Sequence, residues 1–569
     1  MTQVLDPKSK NGPLSNSLDN AHPSVRIIKE KCAGCQECVT RCPVGALDMD
    51  PHKWVALADS SVCVGCRQCE RTCPYGAIHV AGPMIVGPSG PLNLYHPTGL
   101  IGDVTEIRQG FSSWDEAVAE AKRCLDCPDP TCMLGCPAHN AIPDFIAAIR
   151  ARDLDAAHAV LEKTTMWPDA CSRVCDWKTQ CEGSCTWSLA GGQPVAIGRL
   201  ERFITDQMAV KDIEVTSDAG KGITVAIVGA GPAGLSAATQ LVKAGATVTI
   251  YERDRNTGGV MSWGIPSYVL PDQIVERPIE SLIKAGVTLK TGVALGRDIH
   301  IEDLKKQYSA VMLTHGASTP IKLPLPGVDL AGVEDATYFL TNAKSELAKE
   351  KPEPIYEGAN VVVLGAGNTA MDVARSARRL GAKVIAIDWM KEEFAKVRPD
   401  EIQEAREEGV EVNFGTTVES IVGQNGVVGG VVIRTTTQKS ASQLPRLTKD
   451  PGTTHHCDKV ILAMGYRVED LGEAKLPKLP HPPQKPKGPI ADRRWIGSGI
   501  LNSPYTKVGN LALARESMLE DARLPISDGI WAAGDVLVGP STVVSAMAQG
   551  REAARALLES LSSPKSKKK

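Results

Sequence analysis

The sequence implies a multidomain chain: a small α+β domain, a mostly α-helical domain, and two doubly wound α/β domains, the first split by the second. Three observations carry this. Cysteines with gaps of two, two and three, followed by proline, occur twice between residues 32 and 74. A second cysteine region, residues 124–185, surrounds apolar residues at helical spacing. Two strand–glycine–helix–strand units follow, each closing on an acidic residue 23 positions after its first glycine.

The first element is the duplicated run. Cys32, Cys35, Cys38 and Cys42 recur as Cys63, Cys66, Cys69 and Cys73, with Pro43 and Pro74 behind them. This is the spacing of a bacterial 2[4Fe-4S] ferredoxin, in which the fourth cysteine of each run ligates the other run's cluster. Cys32, Cys35, Cys38 and Cys73 should therefore hold one cluster, and Cys63, Cys66, Cys69 and Cys42 the second. Structural zinc and disulfides are the alternatives. Zinc sites pair their cysteines two and two across a longer gap. Of 17 cysteines, 16 precede residue 190, and no secretion signal opens the chain, which favours metal ligands over a disulfide framework. The ferredoxin domain is expected over 25–85, behind a polar, disordered tail at 1–24.

Composition sets outer bounds. A net charge of −3 leaves no nucleic-acid footprint. No run of about 18 apolar residues is free of charge, so no membrane span is expected, and the reading is a cytoplasmic protein. The basic tail at 563–569 reads as solvated. A length of 569 residues predicts three or four domains.

Residues 86–218 read as the helical iron–sulfur domain. "RCLDCPDPTCMLGCP" supplies Cys124, Cys127, Cys132 and Cys136; "ACSRVCDWKTQCEGSC" supplies Cys171, Cys175, Cys181 and Cys185. Between them "IPDFIAAIRARDLDAAHAVLEKTT" has helical periodicity, with Asp144 and Asp153 near helix starts. Spacing alone does not pair these cysteines.

In "TVAIVGAGPAGLSAATQLVKAGATVTIYER" an apolar strand runs into Gly229, Gly231 and Gly234, then a helix and a second strand ending at Glu252. The first glycine makes the turn, the second admits a pyrophosphate, and the third lets helix pack on strand. The helix N-terminus offers free N–H groups to phosphate, and Glu252 is placed for a ribose diol. An ordinary βα turn is the plain alternative. "NVVVLGAGNTAMDVARSARRLGAKVIAIDWM" repeats the unit with Gly365, Gly367, Ala370 and Asp388. Near the end, Gly534 and Asp535 follow a strand and precede a helix starting near Ser541, where an acid can bond a flavin's ribityl chain. Two such units imply a flavin facing a nicotinamide. The flavin domain would then occupy 219–345 and 460–562, around a nicotinamide domain at 346–459.

From about residue 100 to 560 these motifs, with "GGVMSWGIPSYVLP", "GAGNTAMD" and "WAAGDVLVGPSTVVSAMAQG", resemble the small subunit of bacterial glutamate synthase and its relatives. Those relatives include the N-terminal half of dihydropyrimidine dehydrogenase and the large subunit of NADH-dependent ferredoxin:NADP oxidoreductase. The resemblance implies one helical-domain cluster on Cys124, Cys127, Cys132 and Cys185. It implies a second on Cys136, Cys175, Cys181 and Glu201, which makes Cys171 a bystander; spacing alone leaves Cys171 open as the ligand in place of Glu201. Four [4Fe-4S] clusters and one FAD would then be bound per chain. It adds Pro232, Ala233, Arg253, Gly259, Gly264, Ile265, Pro266, Ser541 and Thr542 to the FAD site, and Asn368 and Thr369 to the nicotinamide site.

One departure bears on specificity. NADP-using relatives carry an aromatic–Arg–Arg stretch after the second nucleotide strand; here stand Asp388, Trp389 and Met390. A carboxylate bonds the 2′-hydroxyl of NAD and repels a 2′-phosphate, so NAD is favoured over NADP, with Lys391 as the opposing charge. No catalytic acid or base is required, because the flavin links two-electron hydride to one-electron cluster chemistry. No Cys-x-x-Cys follows "GGVMSWGIPSYVL", which excludes a disulfide-reductase mechanism. Cys457 reads as a packed thiol, His455 and His456 as solvated loop residues, and residues 474–494 as an exposed Pro- and Lys-rich loop. The function implied is an NAD(P)H:ferredoxin or acceptor oxidoreductase subunit. It would exchange electrons with ferredoxin or a catalytic partner, such as a 2-oxoacid oxidoreductase module. Alternatives are a glutamate synthase small subunit feeding a glutamine-dependent large subunit, and a scaffold that kept its clusters but lost its flavin. Intact glycine motifs argue against the last.

Overall fold

The computed structural model describes residues 22–85, 100–208, 211–395, 397–440, 443–469, 471 and 519–562. The Pro- and Lys-rich loop and both predicted tails lie largely or wholly outside these residues. The chain forms two compact units.

The cysteine-rich unit comprises residues 22–85 and 110–208. Its first part has two antiparallel pairs, Ser24–Ile27 with Ile78–Ala81 and Leu47–Met49 with Ala56–Ala58. The short helices Glu37–Thr40 and Gln68–Thr72 carry the third cysteine of each run. With so few residues, the core is Val25, Leu47, Ala56, Ile78 and Val80 packed against the cysteines themselves. The second part is helical: Trp114–Ala121, Ile142–Arg150, Leu154–Glu162, Pro168–Val174 and Ile197–Thr205. Asp153 caps its helix by accepting from Ala156 N at 2.9 Å, worth about 1 kcal/mol. Asp144 lies in the first turn of the preceding helix, favourable to its dipole. Phe145, Ile149, Leu161, Leu200 and Ile204 are fully buried, each contributing about 1.5–3 kcal/mol. Cys66 joins this helical core with Val64 and Met84 packed at its edge, so the two parts share one interior.

The second unit holds both doubly wound sheets, together with residues 100–109, the opening stretch of the predicted helical domain. The first sheet is parallel, in the order Ile530–Ala532, Ala310–Leu313, Thr224–Val228, Thr247–Glu252, Thr288–Thr291. Its outermost strand comes from the C-terminal part of the chain, so the second sheet is an insertion. That sheet is also parallel, ordered Val333–Asp335, Lys459–Leu462, Asn360–Leu364, Lys383–Asp388, Glu411–Phe414. In each sheet the chain leaves one strand, Thr224–Val228 or Asn360–Leu364, to build first one side and then the other. The carboxyl end of that strand is a topological switch point, where ligands of such folds bind.

Between Glu411–Phe414 and Lys459–Leu462 runs an antiparallel sheet in which Thr416–Gln424 and Thr453–His456 flank Val427–Thr437. His455 and His456 are therefore strand residues, not loop residues as expected. Their backbones pair with Val431 and Gly430, an arrangement that spacing could not show. Cys457 is buried as expected, at 3% exposure. The helices Pro232–Lys243 and Val543–Ser562 pack so closely that a Cβ on Gly550 would lie 2.0 Å from Ala233 O.

Candidate functional site: two nucleotide loops and four cysteine groups

The loop after Thr224–Val228 turns at Gly229, whose φ is +108° and whose Cβ would meet Thr314 O at 2.6 Å. The loop after Asn360–Leu364 turns at Gly365, with φ +113° and a Cβ that would meet Ala463 O at 2.5 Å. Only glycine is tolerated at both. Gly231 and Gly367 differ: a Cβ on either would meet nothing within 4 Å. Each is the N-cap of the following helix and caps it with no side chain, leaving free N–H groups over open space. A helix end of this kind can cradle a pyrophosphate.

The acidic residues match in both units. Glu252 Oε2 accepts from Ala230 N at 2.7 Å and Oε1 from Asp254 N at 3.0 Å. Asp388 Oδ2 accepts from Ala366 N at 2.9 Å and Oδ1 from Met390 N at 2.8 Å. A carboxylate has about four lone-pair sites, so each acid keeps about two for a ribose diol. Burial raises the Glu252 carboxyl above its ordinary range, and the two N–H bonds oppose this. Lys391, the possible cationic counterweight beside Asp388, faces Glu393 at 3.6 Å.

One cleft is lined by Gly229, Gly231, Pro232, Ala233, Glu252, Arg253, Gly259, Thr369, Asp535, Ser541 and Thr542. Thr369 lies in the first turn of the helix behind the second glycine loop and the others belong to the motifs around the first sheet, so the cleft gathers both. Trp263, Thr314, His315 and Tyr466 also line it and escaped the sequence reading. Trp263 lay within a motif already in view. His315 follows the strand Ala310–Leu313 at the switch-point end, a position only topology reveals; burial, chiefly, lowers its pKa to about 4. Gly264, Ile265 and Pro266 are not among the lining residues. They lie behind the helix Val260–Trp263, where Lys344 Nζ donates to Ile265 O at 3.0 Å. Asp535 accepts from Ser541 N at 3.1 Å and Ser541 Oγ at 2.9 Å, and burial raises its pKa to about 6. Gly534 N donates to Gln549 Oε1 at 3.1 Å. Arg398, also missed, donates its backbone N–H to Asn368 Oδ1 at 3.0 Å and holds the second loop in place.

The structure sorts the cysteines into four groups. Cys32, Cys35, Cys38 and Cys73 line one cavity, and Cys124, Cys127, Cys132 and Cys185 another. Cys42 acts on Cys63, Cys66 and Cys69. Cys171 and Glu201 stand near enough to Cys136 and Cys175 to raise both thiols, and Cys136, Glu201 and Cys132 do the same to Cys181. No disulfide joins any of the 17 cysteines. Burial pushes Cys38 up to about 11 and Cys127 to about 12, with neighbouring thiols adding to it. Loading metal on such buried thiols must therefore release protons. Backbone N–H groups of Ala46, Ala56, Gly65 and Ala77 point at Cys42, Cys32, Cys63 and Cys73 sulfurs, at 3.2–3.4 Å. Hydrogen bonds of this kind stabilise cluster sulfur. Among the described residues no three His, Cys, Asp or Glu side chains converge as a single ion requires. A four-iron cube holds its thiolates further apart, so the sulfur-rich groups with their N–H donors fit a cluster.

Fold and sites together define a pyridine-nucleotide-dependent oxidoreductase joined to iron–sulfur domains. Comparison with known families agrees along the chain. Residues 31–77 match the 4Fe-4S dicluster domain, 101–213 the domain II, 4Fe-4S cluster family of dihydropyrimidine dehydrogenase, and 223–479 pyridine nucleotide-disulphide oxidoreductase. The glutamate synthase [NADPH] small chain of Escherichia coli K12 is 34% identical over 384 residues, which cover 65% of this chain and 80% of that protein. The same chain from Azospirillum brasilense is 32% identical over 388 residues, covering 65% and 80%. The NAD-dependent dihydropyrimidine dehydrogenase subunit PreT of E. coli O157:H7 is 33% identical over 362 residues, covering 63% and 82%. The chain belongs to the glutamate synthase small-chain family and is an oxidoreductase. No helix among the described residues is long and apolar enough to cross a membrane.

Proposed function

We propose that this chain exchanges a hydride between NAD(H) and FAD and relays single electrons through four [4Fe-4S] clusters. A soluble ferredoxin or a catalytic partner subunit in the cytoplasm would stand at the other end. The observation that carries the reading is the shared cleft, in which Thr369, from the helix behind the second glycine loop, stands with Gly231, Glu252 and Asp535 around the first sheet. FAD, when bound, supplies the chemistry no side chain has: it takes electrons in pairs and releases them singly.

The residues bind and orient. The N–H groups behind Gly231 take the FAD pyrophosphate and Glu252 its adenosine ribose. Asp535, with the helix start behind Ser541 and Thr542, takes the ribityl end. Gly367 and Asp388 take the same parts of the nicotinamide nucleotide. Asp388 favours NAD because a 2′-phosphate would meet a carboxylate, and Lys391 is turned to Glu393. Cys32, Cys35, Cys38 and Cys73 would hold one cluster, Cys42, Cys63, Cys66 and Cys69 a second, and Cys124, Cys127, Cys132 and Cys185 a third. Cys136, Cys175, Cys181 and Glu201 would hold the fourth, with Cys171 beside them. The domain limits are those given above, with 25–85 as the ferredoxin.

Two of the relatives are small chains of NADPH glutamate synthase, which supports a small-subunit role. Feeding a glutamine-dependent large subunit is therefore the second reading. Anaerobic preparation should give about sixteen irons per flavin, four per cluster. A flavin-replete protein with about eight would remove the helical-domain clusters from the scheme.

A further inference from the structure

The helix Gln68–Thr72 carries a cation into the interior of the cysteine-rich unit. Arg71 is 8% exposed. Its Nη1 donates to the carbonyl of Cys66 at 2.9 Å and its Nη2 to Gln68 Oε1 at 3.0 Å, while Nε has no partner. Among the described residues no carboxylate pairs with it. The groups whose charge acts on it are, in falling order, Cys66, Cys69, Cys127 and Glu70. Glu70 is half-buried and directed at His79, 3.4 Å away. The first three matter more because they come from two domains: Cys66 and Cys69 from the ferredoxin, Cys127 from the helical domain. Cys66 itself is packed into the helical core together with Cys185, and Cys127 feels Cys66 in return.

A guanidinium removed from water must find negative charge close by. Here the larger part of that charge comes from cysteine sulfur, with the Glu70 carboxylate, turned to His79, behind it. We infer that Arg71 is the cationic bridge between the cluster of Cys42, Cys63, Cys66 and Cys69 and the cluster of Cys124, Cys127, Cys132 and Cys185. Its fixed charge raises the reduction potential of both and marks the junction at which electrons cross between helical domain and ferredoxin. The inference rests on the four-cluster reading. One electron leaves one cluster and enters the other, in either direction, and no proton accompanies it because the guanidinium stays protonated throughout. A positive charge favours the reduced state, which carries one more negative charge, so removing it must lower both potentials. Arg71 is a positioning residue and touches neither nucleotide loop.

The test is an EPR-monitored redox titration of the anaerobically prepared, iron-replete chain. Arg71→Gln removes the charge. Gln68→Glu leaves Arg71 in place and sets a carboxylate against it at the position of the present 3.0 Å bond. Arg71→Lys keeps the charge on a different head. In the Gln and Glu variants, two of the four titrating components should fall at least about tenfold in their one-electron equilibrium constant, about 59 mV. They should be the components lost in Cys63→Ser and Cys127→Ser. Arg71→Lys should recover more than half of the shift. If Arg71 only ties down the Cys66 carbonyl, the potentials of iron-replete Arg71→Gln and Gln68→Glu will match wild type, and the inference falls. Should Arg71→Gln fail to hold iron, Gln68→Glu decides alone, and an unshifted potential there overturns it. Wild type holding about eight irons would sink the four-cluster reading instead.

Discussion

Asp388 and Glu252 stand at equivalent places, each closing the second strand of its unit and each accepting two backbone N–H bonds. The matching geometry supports the proposed role of Asp388 as a ribose acceptor, and Lys391 lies 3.6 Å from Glu393. Wild type should therefore prefer NADH to NADPH as reductant of a dye. Asp388→Ser keeps a hydroxyl acceptor and removes the charge, so the preference should narrow by about tenfold or more, mainly through the KM for NADPH. An unchanged ratio, or a wild type that already prefers NADPH, would place Asp388 outside the nucleotide site. Glu201 was a ligand implied by resemblance alone. It is 7% exposed, and its carboxyl is raised well above the ordinary range by burial, with Cys171 and Asp169 adding to it. Such a group would gain from a metal, yet Cys171, one helical turn before Cys175, shares its surroundings.

The two glycine loops show what residue spacing can and cannot reveal. Strand, turn, helix and closing acid follow directly from the pattern, because each position has one physical task. The tasks of first and second glycine separate in an experiment. Gly367→Ala adds a Cβ that touches no protein atom but fills the pyrophosphate approach. Its thermal midpoint should stay at the wild-type value while the KM for NADH rises at least about tenfold, some 1.4 kcal/mol. Gly365→Ala forces φ +113° on an L residue and brings its Cβ to 2.5 Å from Ala463 O. That should destabilise the domain by roughly 1–3 kcal/mol, visible in thermal unfolding without any nucleotide. If both variants behave alike, the loop is not a phosphate cradle. The helix behind this loop was less legible. Nothing in the spacing of "ARSARRLG" marks its arginines for burial, yet Arg375 is 0% and Arg379 1% exposed. They bond Glu401, Glu404 and Glu408 from the helix Pro399–Glu407 and the turn after it. Arg108 reaches Glu401 and Glu404 from nearly three hundred residues away. Periodicity reports a helix's own faces; it does not report a partner helix of opposite charge, so this buried network had no sequence signal.

Each compact unit carries one kind of electron chemistry. The four cysteine groups all lie in the unit of residues 22–85 and 110–208, and both nucleotide loops in the other. The cysteine runs were legible because ligand spacing is rigid, whereas the sharing of one interior by ferredoxin and helical domain, through Cys66 and Val64, was not. Packing between separate motifs depends on surfaces that neither motif encodes in its spacing. The division makes hydride transfer and cluster relay separable. Cys35 is exposed and Cys66 buried, and they belong to different cysteine groups. Replacing both by Ser should empty the two ferredoxin clusters and leave the Gly229 and Gly365 loops untouched. Flavin reduction by NADH in stopped flow should then stay within a few-fold of wild type, since donor and acceptor geometry is unchanged. Electron delivery to ferredoxin or to the native partner should fall at least about tenfold, a barrier increase of some 1.4 kcal/mol. Small dyes should still be reduced, because they reach the flavin directly. Iron analysis of the double variant fixes the interpretation: about eight irons per flavin are expected to remain, four for each helical-domain cluster. If such protein reduces its partner at the wild-type rate, electrons leave from the helical domain, and the ferredoxin serves to dock the partner rather than to carry current.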